Sequence, residues 1–217
     1  MIIEERMGSF LRSLEEGNTG ILAEIEQEAK RERVPIIRPE TQGLLRLLLD
    51  MKRPASILEI GTAVGFSALF MLEHSKEPCR IVTIENYKKR IPIARENFRR
   101  AGKKDQIHLM EGDAMELLPT LTKPFDFIFL DAAKGQYIHF LPELLRLLEA
   151  GGTLVSDNVL QEGDILESRF AVTRRNRTIH KRMREYLYEL THNPQLVTSV
   201  LPVGDGVTVS SRKKEIT

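Results

Sequence analysis

The sequence predicts an α/β fold, a mostly parallel sheet wrapped by helices and closed near its C-terminal end by an antiparallel hairpin. Two observations carry that prediction. From residue 56 to residue 156, short apolar runs rich in β-branched and aromatic residues alternate with segments of helical period. Such alternation builds βα units, because each crossover helix must cover a face of the sheet. After residue 195 the rhythm changes to two apolar runs joined by Gly204-Asp205-Gly206, a hairpin signal.

Taken in order, Ile21–Arg33 and Glu40–Met51 read as amphipathic helices, and the N-terminal helices, over about residues 1–51, are expected to cap the sheet. The first strand is Ser56–Ile60, followed by a helix over Phe66–His74. The second is Arg80–Ile84, followed by Tyr87–Ala101, in which Pro92 either kinks the helix or marks a late start and Gly102 ends it as a C-cap would. The third is Ile107–Met110 with a helix over Ala114–Leu121. Phe125–Leu130 is the fourth, with a helix over Tyr137–Leu148 that Gly151-Gly152 closes before the fifth strand, Thr153–Ser156. Leu196–Val203 and Val207–Ser211 form the hairpin. No repeat, low-complexity tract or flexible linker interrupts the 217 residues, so residues 1–217 are expected to form one domain.

Composition excludes several classes. With 41% hydrophobic and 29% charged residues, the chain can bury a full core and is neither a disordered tail nor a fibre. Thirty-two Lys and Arg against 31 Asp and Glu leave a net charge of +1, so any affinity for a polyanion must come from local clustering. Cys79 is the single cysteine, which rules out an intrachain disulfide or a thiolate metal cage and fits a reducing cytoplasm. Charges at Glu4, Glu5, Arg6, Arg12, Glu15 and Glu16 break up any signal-peptide core, and no run approaches the roughly 18 uncharged residues of a membrane span. A cytoplasmic protein with no membrane partner is expected.

Chemistry-bearing residues gather at the carboxyl ends of the strands, where open α/β sheets bind ligands. Glu59-Ile60-Gly61 with Gly65 and Ser67 has the spacing G-x-x-x-G, not the G-x-G-x-x-G of a dinucleotide site. An acid there repels phosphate and suits an ammonium group; a turn glycine beside a solvated acid is the alternative. Glu85, 24 residues beyond Gly61, can accept both hydroxyls of a ribose or be an exposed strand-end acid. Asp113 can reach an adenine amino group or cap the helix that begins at Ala114. Asp131 after the fourth strand and Asp157-Asn158 after the fifth should meet, because those strands are expected to be neighbours. Two carboxylates and an amide oxygen form a hard-cation set with open positions, suited to Mg²⁺ and not zinc, unless one acid only caps a helix. Lys134, three residues beyond Asp131, is either a general base beside that cation or a lysine snorkelling from a helix start.

E-I-G-x-x-x-G-x-S, the D-A-x-K-x-x-Y run Asp131–Tyr137, S-D-N and V-G-D-G-V-T resemble the metal-dependent class I O-methyltransferases of the catechol and caffeoyl-coenzyme A type. The resemblance covers roughly residues 36–212 and implies a seven-stranded Rossmann-like sheet, S-adenosylmethionine, a bound Mg²⁺ or other divalent cation, and a homodimer. By position it implies Arg38, Glu59, Gly61, Ser67, Glu85, Asp113 and Asp131 around the donor, Asp131, Asp157 and Asn158 on the metal, and Lys134 as the base. Within that group the chain is most similar to bacterial tRNA 5-hydroxyuridine methyltransferases. Ala132 and Ala133 stand where catechol enzymes carry a bulky aromatic, and there is no Trp.

A basic run points the same way. Arg169, Arg174, Arg175, Arg177, Lys181, Arg182 and Arg184, with His180, include no acid among sixteen residues. A solvated helix face is usually interspersed with acids, so phosphate contact is expected here. The reading is therefore transfer of a methyl group to the hydroxyl of 5-hydroxyuridine in tRNA, with RNA and not DNA as partner. Methylation of a small catechol-like phenol is the alternative. A nicotinamide dehydrogenase is disfavoured by the missing glycine motif, and a non-catalytic RNA-binding domain by the intact Asp131, Lys134, Asp157 and Asn158 set.

Overall fold

The computed structural model describes residues 4–75, 78–168 and 170–214. Helices α1 (Glu5–Ser13), α2 (Gly20–Arg31) and α3 (Pro39–Lys52) precede β1 (Ser56–Ile60) and α4 (Phe66–His74). Then come β2 (Arg80–Glu85), α5 (Ile91–Arg100), β3 (Ile107–Glu111), α6 (Ala114–Leu117), β4 (Phe125–Leu130), α7 (Tyr137–Leu147) and β5 (Leu148–Ser156). The chain continues through α8 (Arg177–His192) to β6 (Leu196–Leu201) and β7 (Val207–Arg212). The seven strands make one sheet in the order β3-β2-β1-β4-β5-β7-β6. Strands β1 to β5 pair in parallel and β7 runs antiparallel to both β5 and β6, as the hairpin signal required.

Strand alternation divides the core into two halves. Ile57, Phe127, Phe129 and Val155 pack on one face with Leu22, Ile25, Leu45 and Leu49 of α2 and α3 and with Phe66 and Phe70 of α4. Leu58, Ile128, Leu130 and Leu154 pack on the other with Tyr137 and Leu144 of α7 and Met183 and Tyr186 of α8. Covered on both faces, β4 reads as the nearly continuous apolar run Phe-Asp-Phe-Ile-Phe-Leu.

One alternative is settled, two boundaries differ from expectation, and two helices are added. Helix α5 starts late, at Ile91, and Pro92 lies in its first turn, where a missing N–H leaves no bond unmade. Helix α6 is one turn, continued by a 3₁₀ turn over Leu118–Thr120 that contains Pro119. Gly151-Gly152 does not precede β5 but lies inside it: Leu148 already pairs with Phe125, Thr153 pairs with Phe127, and the glycines form the irregularity between. Helices α1 and α8 are additions to the sequence reading; α8 buries His180, Met183, Tyr186 and Leu190. Among the described residues no helix is long and apolar enough to cross a membrane.

Candidate active site

The strand order reverses at β1, which has β2 on one side and β4 on the other. That switch point opens a crevice beyond the carboxyl ends of the strands. Here the crevice is a cleft of about 620 Å³ between the ends of β1, β2, β4 and β5 and the segment leading into α3. Gly61 forms its floor. The φ of Gly61 is +105°, and a Cβ there would stand 1.9 Å from the carbonyl oxygen of Asp131, so only glycine lets the ends of β1 and β4 come together. The backbone then stitches the floor: Asp131 N–H donates to Ile60 O at 2.9 Å and Asp157 N–H to Leu130 O at 3.0 Å.

One half of the cleft is lined by Arg38, Ser67, Glu85 and Asp113. The Glu85 carboxylate accepts from Ala63 N at 2.7 Å, Asn86 N at 3.0 Å and Tyr87 N at 2.8 Å, which fixes it at the rim with acceptor capacity left on Oε2. Asp113 caps α6 by accepting from Met115 N at 2.9 Å, and it faces the cleft as well. Tyr87, which the sequence reading passed over, adds an apolar ring to the wall, with the Arg90 guanidinium 5.3 Å from its centroid.

Glu59 lies apart from the other donor-site candidates and is not the solvated acid of the alternative reading. It has no exposed surface and does not line the cleft. On β1 its side chain shares the face of Ile57, so it points beneath α4, where it accepts from Ser67 Oγ at 2.5 Å and from Thr83 Oγ1. Burial pushes its carboxyl up to about 7 against the pull of those two hydroxyls. Glu59 therefore reaches the cleft only through Ser67.

At the other half, Asp131, Asp157 and Asn158 converge as the strand pairing foretold, and all three line the cleft. Asn158 Nδ2 donates to Asp131 Oδ1 at 2.9 Å, and Asp157 Oδ1 accepts from the Asn158 N–H at 2.7 Å. Asn158 holds a left-handed φ of +60° to do so. Buried Tyr137 fixes both loops from below: its hydroxyl donates to Asp157 O at 3.1 Å and accepts from Ala132 N at 3.2 Å. Burial raises the carboxyls of Asp131 and Asp157 above the usual range, and the Asp131 charge raises Asp157 further. Among the described residues no group of three or more His, Cys, Asp or Glu side chains is arranged to hold a metal ion, and the set here is two carboxylates and an amide. It fits a hard divalent cation, which would relieve the repulsion between the acids, and an amide flip would turn Asn158 Oδ1 inward. Lys134 also lines this half, its Nζ 3.2 Å from Asp205 Oδ2, a partner the sequence reading had not assigned.

The basic run proves heterogeneous. Arg169 lies outside the described residues. Arg177 donates to Val172 O at 3.3 Å and Phe170 O at 3.4 Å, Arg182 to Gly135 O at 3.1 Å, and Arg184 to Ile165 O at 3.0 Å, so all three brace the fold. Lys181 pairs at 3.4 Å with Glu185, one turn along the helix and the first residue past the run. Arg174 and Arg175 are exposed and make no hydrogen bond or ion pair with the described residues. The Arg182 contact seats α8 against the turn that carries Lys134, beside the cleft.

Comparison with known proteins agrees with this architecture. A family model described as O-methyltransferase matches residues 13–213. The catechol O-methyltransferase of Mycobacterium tuberculosis is 34% identical over 161 residues, 73% of each chain. That of Niastella koreensis is 34% identical over 135 residues, which are 60% of this chain and span 61% of the Niastella enzyme. An S-adenosylhomocysteine-bound methyltransferase from Podospora anserina superposes with a TM-score of 0.85 at 29% identity, over 97% of this chain and 95% of that one. The reversal of strand order, the antiparallel hairpin and a match over nearly the whole sequence lead to one conclusion: the chain belongs to the class I S-adenosylmethionine-dependent O-methyltransferases of the catechol and caffeoyl-coenzyme A type.

Proposed function

We propose that the chain methylates the 5-hydroxyl of 5-hydroxyuridine in tRNA, giving 5-methoxyuridine, with a divalent cation such as Mg²⁺ held by Asp131, Asp157 and Asn158. The observation that carries the RNA reading is the placement of α8. Its Arg182 grips the Lys134 turn at the cleft, and Arg174 and Arg175, exposed and without a hydrogen bond or ion pair among the described residues, lie in the segment that leads into α8. A phosphate backbone is the partner that two such exposed guanidinium groups fit. Ala132 and Ala133 put small side chains in the cleft beside Asp131, which suits a base carried on a polymer better than a free phenol.

S-adenosylmethionine supplies a methyl group on a cationic sulfur, and the cation would supply a Lewis acid that lowers the pKa of the attacking hydroxyl. The protein provides position and proton traffic. Glu85 at the rim takes the ribose hydroxyls, and Asp113 the adenine edge. Ser67, held by Glu59, and Arg38 face the methionine end. Lys134 Nζ takes the hydroxyl proton as the O–C bond forms and the C–S bond breaks, its electron pair leaving with sulfur. Two copies of the chain are proposed to form the working assembly, and a reducing cytoplasm is its proposed setting.

The test uses Arg174→Glu with Arg175→Glu. Turnover of tRNA bearing 5-hydroxyuridine should fall at least tenfold, and the salt dependence of binding should flatten by roughly 0.7 to 0.9 in log–log slope per lost phosphate contact. Turnover of the free nucleoside or of a catechol should hold, because the cleft is untouched. Equal turnover of tRNA by both proteins would return the run to a solvated surface and favour the small-phenol reading.

A further inference from the structure

Asp205 is a buried carboxylate to which the reading above gives no task. It lies 3% exposed in the turn between β6 and β7, flanked by Gly204 and Gly206. The turn's main chain already closes itself, Gly206 N donating to Val203 O at 2.8 Å. It is also stitched to the segment after Asn158: Val159 N donates to Gly206 O at 2.9 Å and Leu160 N to Asp205 O at 3.0 Å. The turn is wedged as well, since a Cβ on Gly206 would meet Leu160 at 2.3 Å and one on Gly204 would meet Thr41 at 2.9 Å. Asp205 is thus rigidly mounted, and its two carboxylate oxygens serve different partners. Oδ1 accepts from the Glu162 N–H, and Oδ2 takes Lys134 Nζ at 3.2 Å, across 71 residues of sequence.

A buried carboxylate is costly unless paired, and turn geometry accounts for only one of its oxygens. The second holds Lys134, which is 35% exposed and faces the cleft beside Asp131 and Asn158. Nζ is therefore placed between a fixed anion behind and the acceptor end in front. This is the arrangement of a base oriented by a third group.

We propose that Asp205 is the positioning residue of Lys134: Oδ2 accepts a hydrogen bond from Nζ, aims the amine into the cleft, and stabilises the ammonium formed when the hydroxyl proton arrives. The proton ends on Nζ and Asp205 stays a carboxylate throughout. The proposal rests on the reading of Lys134 as the proton acceptor.

Asp205→Asn tests it, because the amide keeps an oxygen for the Glu162 N–H while turning an NH₂ toward Lys134. The kcat for methyl transfer should fall about ten- to a hundredfold, with KM for the acceptor, donor affinity by calorimetry and Tm unchanged. In a Lys134→Ala background the same substitution should add less than about twofold, since its effect passes through Lys134. Undiminished kcat in Asp205→Asn, or an equal fold-loss with and without Lys134, would overturn the proposal. If Lys134→Ala is crippled and Asp205→Asn is not, only the role of Asp205 falls; if Lys134→Ala keeps full kcat, the base assignment falls and the proposal with it. Should the amide unsettle the turn, Asp205→Ser carries the same test, removing the charge and leaving a hydroxyl for the Glu162 N–H.

Discussion

Replacing Glu59 by Gln should make the protein more stable at pH 8 than at pH 5, relative to the native chain. The native carboxyl is fully buried, and burial, opposed by its bonds from Ser67 and Thr83, raises it from 4.5 to about 7. Between those two values the folded protein holds a proton that the unfolded chain releases. Stability therefore falls as pH rises through that window and levels off above it. The gap between 4.5 and about 7, at roughly 1.4 kcal/mol per unit of pH, puts the full loss at about 3.5 kcal/mol. Glutamine does not titrate, and the hydroxyls of Ser67 and Thr83 can each donate to or accept from an amide, so both contacts survive. The native-minus-variant stability should drop by about 2–3 kcal/mol between pH 5 and pH 8, equivalent to about 4–12 °C in Tm for a chain of this size. Urea unfolding of both proteins at the two pH values, followed by circular dichroism, measures it. Parallel stability curves would refute the reasoning, since they would mean that Glu59 is ionised at no cost.

The other expectations concern the cleft itself. Glu85→Ala removes a charge-assisted acceptor of about 1.5–3 kcal/mol, so calorimetry should show S-adenosylmethionine binding weakened about 10- to 150-fold. Gly61→Ala would drive a Cβ to 1.9 Å from Asp131 O at a φ of +105°, and denaturant melts should show a loss of about 3 kcal/mol or more. Millimolar Mg²⁺ should raise the Tm of the native chain and leave that of Asp157→Asn unmoved; an equal rise in both would place the cation elsewhere.

The parts of the fold legible in the sequence are those set by local pattern. Strand cores show as β-branched runs, and the ends of β1, β4 and β5 show as Gly61, Asp131 and Asp157-Asn158, because each ligand-facing residue sits next to the run that places it. Helix α8 was hidden by its own charges, although His180, Met183, Tyr186 and Leu190 already marked a buried stripe at helical spacing. Gly151-Gly152 looked like a stop because glycine ends helices, yet pairing of Leu148 with Phe125 carries the strand through them. The burial of Glu59 follows from strand parity, which puts it on the side of Ile57. Asp205 was visible in the V-G-D-G-V-T run, but its partner was not readable, since its meeting with Lys134 is made by tertiary structure over 71 residues.

The most direct measurement is nucleoside mass spectrometry of tRNA bearing 5-hydroxyuridine after incubation with the protein, S-adenosylmethionine and Mg²⁺, with catechol offered in a parallel reaction. The account predicts 5-methoxyuridine that disappears in excess chelator and returns with Mg²⁺. Catechol methylated while the tRNA nucleoside stays unchanged, or 5-methoxyuridine formed at full rate in chelator, would contradict it.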